Sequence, residues 1–139
     1  MNLKPTLLIL FGSLLGVSVS YAQQTATLKC DISKLKKGNE AEVCHFEEAP
    51  NDNPETYTIE AILEEEITWS GKDGIQITKV KWYKGTKIFN GNNPSGNGVI
   101  KAQPKKITEE DKPYRYKLKF NVNGEGNYKI DPIIKVRNP

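Results

Sequence analysis

The chain has 139 residues, of which 37% are hydrophobic, 27% charged and 9% aromatic. These fractions are typical of a globular protein and exclude a disordered, collagen-like or multi-span membrane chain. Twenty basic residues against 17 acidic ones give a formal net charge of +3. Because this charge is nearly balanced, we expect neither nucleic acid nor an anionic membrane surface as a partner.

The first 22 residues are typical of a cleaved signal peptide. A short polar start with Lys4 precedes an apolar stretch over residues 6–19, and Ser20-Tyr21-Ala22 provides a small-x-small cleavage pattern. The apolar stretch is shorter than the roughly 20 residues that a spanning helix needs. We therefore expect cleavage after Ala22, a single domain over residues 23–139, an extracytoplasmic location (periplasmic or secreted) and no stable membrane insertion.

The chain contains two cysteines and one histidine. In an exported protein, the two cysteines predict one disulfide, Cys30–Cys44. Zinc binding is the alternative, but His45 and the two cysteines are too few ligands and lack a zinc-type spacing. We therefore expect a structural disulfide, no metal site and no cofactor.

Two local structures fit the segment between the cysteines. In the first, the cysteines face each other across a hairpin whose three-residue loop is residues 36–38, and Leu28 lies opposite Phe46. In the second, Asp31 caps a short helix that ends at Gly38. In either case the disulfide closes a loop of about 15 residues and should stabilise the fold by about 3 kcal/mol.

Charge is unevenly distributed along the chain. Residues 38–71 contain ten acids and no lysine or arginine, whereas residues 72–139 carry fifteen bases against six acids, a net of +9. An acidic strand beside basic strands in one sheet would explain this, with Glu65 facing Lys79 across a turn at residues 70–74. The alternative is an acidic face that docks a basic partner.

Alternation of apolar and polar residues dominates the rest of the chain. A slip in this alternation predicts a bulge near Thr78, and residues 90–98 (NGNNPSGNG) are predicted to form a polar loop of turn-forming residues. The strands over residues 114–122 and 128–136 both bury even-numbered residues, so we expect a connection longer than a two-residue Asn-Gly turn. Pro132 predicts that the last strand lies at a sheet edge or bulges there.

About seven short strands with turn signals between them predict an all-β fold, a two-sheet antiparallel sandwich. The alternation of apolar and polar residues places large apolar and aromatic side chains of the C-terminal half inside this sandwich. The predicted core residues are Trp82, Tyr116, Leu118, Phe120, Tyr128 and Ile130.

Two segments resemble parts of an immunoglobulin-like domain. Residues 80–88 (VKWYKGTKI) resemble its central strand, with Trp82 as the buried tryptophan, and residues 124–130 resemble its later strand pair, with Tyr128 in the place of the tyrosine-corner residue. The resemblance covers roughly residues 56–137 and implies an immunoglobulin-like sandwich. It departs from the family because no cysteine stands two positions after Tyr128, so the inter-sheet disulfide of antibody-type domains is absent.

No residue pattern indicates catalysis. The single histidine has no recognisable nucleophile–acid context, and adjacent acids such as Glu47 and Glu48 on a strand point to opposite faces. We therefore expect a protein that is not an enzyme but a binding or adhesion module, which recognises a protein or glycan partner through loops and an acidic strand face. A secreted or periplasmic inhibitor or immunity protein that blocks an enzyme is the alternative. The candidate surface residues are Glu60, Glu64, Glu66, Asn92, Asn93 and Asn97.

Overall fold

The computed structural model describes residues 24–83, 88–89, 93–105 and 112–139. The predicted signal peptide and its cleavage site lie outside these residues. Within the described ranges, no helix has the length and apolar character needed to cross a membrane. Ten strands and one short helix occur there: β1 (Thr25–Cys30), α1 (Glu40–Val43), β2 (Cys44–Phe46), β3 (Thr58–Ile62), β4 (Ile67–Gly71), β5 (Ile75–Trp82), β6 (Ser95–Gly98), β7 (Ile100–Ala102), β8 (Tyr114–Val122), β9 (Glu125–Ile130) and β10 (Ile133–Arg137).

The strands form two sheets, which we call the large sheet and the small sheet. The large sheet has six strands in the order β3-β10-β8-β5-β6, with β9 also paired to β8, and the small sheet has the order β2-β1-β4-β7. Their buried side chains form one hydrophobic core. The prediction of an all-β, two-sheet sandwich is confirmed. The predicted number of strands was too low because the predicted strand over residues 128–136 is divided into β9 and β10, and because β6 lies within residues that were predicted to form a loop.

Both sheets are mixed, which corrects the expectation of purely antiparallel pairing. β10 pairs in parallel with β3, and β1 pairs in parallel with β4. Alternation of apolar residues determines which face of a strand is buried, but it carries no information on the direction of the neighbouring strand. Each parallel pair joins segments that are far apart in the sequence, so no turn signal marks it.

β4 and β5 follow each other in the chain but lie in different sheets. The turn between them is tight, since a Cβ atom added at Gly71 would clash with the carbonyl oxygen of Ile75. The predicted pairing of Glu65 with Lys79 is therefore wrong. A turn that moves the chain between sheets uses the same glycine-rich residues as a hairpin turn, so the sequence alone did not distinguish the two.

β8 and β9 form a hairpin with a two-residue Asn-Gly turn at residues 123–124. The burial of even-numbered residues in both strands had predicted a longer connection. The turn residues have φ angles of 51° and 84°, and Glu125 lies opposite Val122. The register then shifts by one residue at a bulge that contains Gly126, whose φ is 82°. Because the bulge adds one residue to β9, the even-numbered residues of β9 point into the core, as they do in β8, despite the short turn.

Three other predictions concern local irregularities. The bulge near Thr78 is confirmed by a register shift between Ile77 and Lys79. Pro132 separates β9 from β10, but β10 lies between β3 and β8 rather than at an edge. Residues 95–98, within the predicted polar loop, form the edge strand β6.

The disulfide Cys30–Cys44 is present, and β1 pairs with β2 in the predicted register. The connection between these strands differs from both alternatives. Residues 31–43 form turns and then helix α1, which begins after Gly38 instead of ending there. The φ angle of Gly38 is 101°, a conformation that favours glycine.

An aromatic cluster joins the two sheets. Trp69 of the small sheet is fully buried, and its Nε1–H donates a hydrogen bond of 3.0 Å to the hydroxyl of Tyr116 in the large sheet. Trp82 stacks on Phe89 with 4.9 Å between ring centroids. The sequence singled out Trp82, but Trp69 is the tryptophan that bridges the sheets. Of the predicted core residues, Trp82, Tyr116, Leu118, Phe120 and Ile130 are buried, and Tyr128 is partly buried and stacks on Phe120.

Candidate binding face

The predicted acidic surface residues lie in different parts of the fold, because the chain passes from the large sheet to the small sheet between β3 and β4. Glu60 lies on β3, where its carboxylate is 3.5 Å from the Arg137 guanidinium. Glu64 and Glu66 are exposed in the connection that leads to the small sheet, and Glu64 has a φ of 67°. These three residues therefore do not form a continuous acidic strand.

The predicted asparagines also differ in their surroundings. The side-chain oxygen of Asn93 accepts a 3.0 Å hydrogen bond from the backbone N–H of Trp82, at the end of β5. Asn97 is exposed on the edge strand β6. Asn92 lies outside the described residues. Asn93 thus has a structural role, whereas the Asn97 side chain is exposed on the surface.

Several acids of the 38–71 segment hold the fold together. The Glu48 carboxylate accepts hydrogen bonds of 2.8–2.9 Å from the hydroxyls of Thr25 and Thr27 and from the backbone N–H of Thr27. Glu40 is only 7% exposed and accepts two backbone N–H groups. Acids that are engaged in this way contribute less to an exposed acidic surface than the sequence suggested.

Five lysines instead form a cluster on the outer surface of the large sheet. The residues that alternate with them, including Val80, Leu118 and Ile130, are buried in the core. Successive side chains of a strand point to opposite faces, so the lysines point away from the core. We call this cluster the lysine face: Lys79 and Lys81 on β5, Lys117 and Lys119 on β8, and Lys129 on β9.

The strand register places these lysines opposite one another. Lys79 pairs with Lys119, and Lys81 with Lys117, between β5 and β8. Lys119 also pairs with Lys129 between β8 and β9. Like charges that oppose each other directly on a sheet are destabilising, whereas opposite charges stabilise it. The arrangement therefore works against fold stability and requires another explanation.

Acidic side chains do not neutralise the lysine face. In the part of the chain that the structure describes, no ion pair within 4.0 Å involves any of its five lysines, whereas Lys29, Lys34 and Lys72 each have an acidic partner. The face thus combines a high density of positive charge with little internal compensation.

The repulsion is visible in the pKa of Lys117. Lys129 is the main cause that holds this pKa below its ordinary value of 10.5, and desolvation, Lys81 and Lys119 act in the same direction. Asp131 acts in the opposite direction. A bound anion would relieve this mutual repulsion.

Two hollows adjoin the lysine face. One, with a volume of about 180 Å³, is lined by Lys81, Trp82, Tyr83 and Lys117. The Tyr83 side chain is 41% exposed, and the Lys117 ammonium lies 5.9 Å from the centre of its ring. The other hollow, of about 350 Å³, lies where β8 and β9 meet the loop that the disulfide closes. An aromatic surface and ammonium groups are therefore exposed side by side.

The chemistry available on this face is anion binding. Ammonium groups donate hydrogen bonds and attract anionic groups, and no nucleophile–base pair is part of the face. Among the described residues, histidine, cysteine, aspartate and glutamate side chains form no group of three that could hold a metal ion.

The predicted burial of even-numbered residues over 114–122 implies that Lys117 and Lys119 point outward, but the sequence did not reveal the cluster. The signal was the alternation of lysines with apolar residues in both 79–82 and 117–120. What it lacked was the pairing of β5 with β8, which brings two segments nearly 40 residues apart into register. The acidic segment, which is contiguous in sequence, indicated a different part of the surface.

No protein-family model matches the sequence, and no curated protein matches it significantly.

Proposed function

We propose that the protein is an exported, immunoglobulin-like binding module that recognises an acidic polysaccharide through the lysine face. The observation that carries this proposal is the register that opposes Lys79 to Lys119 and Lys81 to Lys117 without acidic partners. A sheet surface that is unfavourable for the free protein is expected where a ligand supplies the compensating charge. The docking surface is thus basic, where the sequence suggested an acidic one.

The strand order supports the immunoglobulin-like part of the proposal. In the large sheet, β10 and β9, β8, β5 and β6 follow the order G-F-C-C′ of variable-type domains, with Trp82 on the C-like strand. β4 and β7 correspond to neighbouring strands B and E of the opposite sheet. In this correspondence Tyr128 lies on the G-like strand, so the tyrosine near the start of the F-like strand is Tyr114 or Tyr116.

The choice of a polysaccharide depends on Tyr83 and on the spacing of the lysines. Outward residues lie about 6.6–6.8 Å apart along a strand and about 4.8 Å apart between strands, so the five lysines form a flat array that suits a polymer with repeated charges. The exposed Tyr83 ring beside Lys117 offers a surface for the apolar C–H face of a sugar ring. Acidic groups on the same polymer would contact the ammonium groups.

The disulfide supports the exported part of the proposal. Disulfides form and persist in oxidising compartments such as the bacterial periplasm and the cell exterior. Cys30 and Cys44 are bonded to each other, and neither cysteine of the chain is free.

Affinity for heparin, a sulfated polysaccharide, tests the proposal. We expect the purified protein to bind heparin but not neutral dextran, with an affinity that falls as salt increases. The variant Lys81→Gln/Lys117→Gln should weaken binding roughly 10- to 30-fold, at about 1 kcal/mol per lysine. The matched control Lys101→Gln/Lys105→Gln removes the same charge outside the face and should bind within about 2-fold of the original protein.

Two outcomes would refute the proposal. Equal losses in both double variants would mean that net charge, and not the lysine face, determines binding. Tighter binding of polyglutamate than of heparin would favour an acidic polypeptide over an acidic polysaccharide as the ligand.

A further inference from the structure

The larger of the two hollows beside the lysine face is a basic pocket, which we call the basic pocket, and it is lined by three separate segments of the chain. It has a volume of about 350 Å³ and is lined by residues of the disulfide-closed loop, of β8 and of β9. Three of its four lysines, two on β8 and one on β9, belong to the lysine face, so the pocket adjoins that face. The lining residues are Lys37, Gly38, Glu40, Lys117, Lys119, Asn127 and Lys129.

The wall that carries Lys37 is fixed to the sheet. The buried Glu40 carboxylate accepts a 2.8 Å hydrogen bond from the N–H of Gly38 and a 3.3 Å hydrogen bond from the N–H of Lys129 on β9. The disulfide closes the loop at its base. Because both ends of this loop are held, Lys37 stays near the lysines of β8 and β9. Glu40 is thus a positioning residue rather than a ligand.

The residues that line the pocket carry a net positive charge. Four ammonium groups and one carboxylate give the lining a formal net charge of +3. The ammonium groups come from the outer surface of the sheet, through β8 and β9, and from the loop beside it, and no arginine is among the residues that line the pocket. A carboxylate is matched best by the planar, two-pronged guanidinium of arginine, whereas lysine acts as a point charge that commonly binds phosphate. The lining therefore suits an anion with oxygens in several directions.

We infer that this pocket binds a tetrahedral oxyanion, a phosphate or sulfate ester carried by the ligand of the lysine face. The inference deepens the proposed function and rests on it: the flat face contacts the polymer, and the pocket receives one ester group. Glu40 holds the loop in place, while Lys37 and Lys129 contact the ester from opposite walls. The lowered pKa of Lys117, caused mainly by Lys129, agrees with like charges that lie close together in this pocket.

Titration with inorganic phosphate, followed by the backbone amide signals of Gly38 and Lys129 in NMR spectra, tests the inference. At constant ionic strength, with chloride as the replaced ion, we expect saturable shifts. Lys37→Gln and Lys129→Gln should each raise the apparent Kd for phosphate about 5-fold or more, whereas Lys81→Gln, which lies outside the pocket, should leave it within about 2-fold.

Parallel titrations with sulfate and acetate separate the ligand classes. Saturation by phosphate alone assigns the pocket to a phosphate ester, and saturation by both tetrahedral ions assigns it to either ester. Equal binding of acetate, or shifts that chloride reproduces, would overturn the inference. If heparin binds through the lysine face but the phosphate titration does not saturate, the inference about the pocket is wrong and the proposed function stands. If phosphate saturates but Lys81→Gln/Lys117→Gln leaves heparin binding intact, the proposed function fails.

Discussion

Replacing Lys119 by glutamine should stabilise the free protein. Lys119 is the centre of the lysine face because it opposes both Lys79 and Lys129. Each like-charge contact is expected to cost about 0.2–1 kcal/mol, by analogy with the gain from opposite charges. Removing two such contacts should raise the free energy of unfolding by about 0.4–2 kcal/mol and Tm by roughly 2–8 °C, at about 4 °C per kcal/mol for a domain of this size.

The gain in stability should have two further properties. It should shrink as salt increases from 20 to about 500 mM, because ions screen repulsion between exposed charges. It should also be accompanied by weaker heparin binding, since the same charge repels its neighbours and attracts the ligand. Urea denaturation at several salt concentrations measures the first property.

Lys101→Gln, on β7 of the small sheet, is the matched control and should change stability by less than about 0.5 kcal/mol. A loss of stability in Lys119→Gln, or a gain that does not depend on salt, would refute the claim that the face is under electrostatic strain.

Three more predictions concern the core, the loop and the titration of the face. Tyr116→Phe leaves the buried N–H of Trp69 without an acceptor and should cost about 1–3 kcal/mol in urea denaturation; an unchanged midpoint would contradict the inter-sheet bond. Reducing the disulfide should cost about 3 kcal/mol, measured by thermal unfolding with and without reductant. Lys129→Gln should raise the pKa of Lys117 toward 10.5 in an NMR titration. In the unaltered protein, stability should rise with pH between the lowered pKa and 10.5, because the unfolded chain binds more protons there; an unshifted pKa would remove this expectation.

The sequence predicted well which face of each strand is buried, but it predicted poorly which strands pair with each other. The side chains of residues 116, 118 and 120 are buried as alternation required. The disulfide followed from the count of cysteines, and the register of Leu28 opposite Phe46 followed from the disulfide. Such features depend on local spacing or on a covalent bond, both of which the sequence contains.

The errors share a physical cause. A tight turn at Gly71 moves the chain from one sheet to the other, and a bulge at Gly126 reverses the parity that the Asn-Gly turn imposes. Both glycines were visible, but their effect depends on how distant strands pack. The lysine face was missed for the same reason: it exists only because β5 and β8 pair, and no local pattern predicts that pairing.

The most direct measurement of the central claim is an NMR map of the surface that a short sulfated oligosaccharide contacts. We expect chemical-shift changes at the backbone amides of β5, β8 and β9, centred on Lys119, and at the ring of Tyr83. Changes confined to the small sheet or to the acidic connection at residues 63–66 would contradict the account.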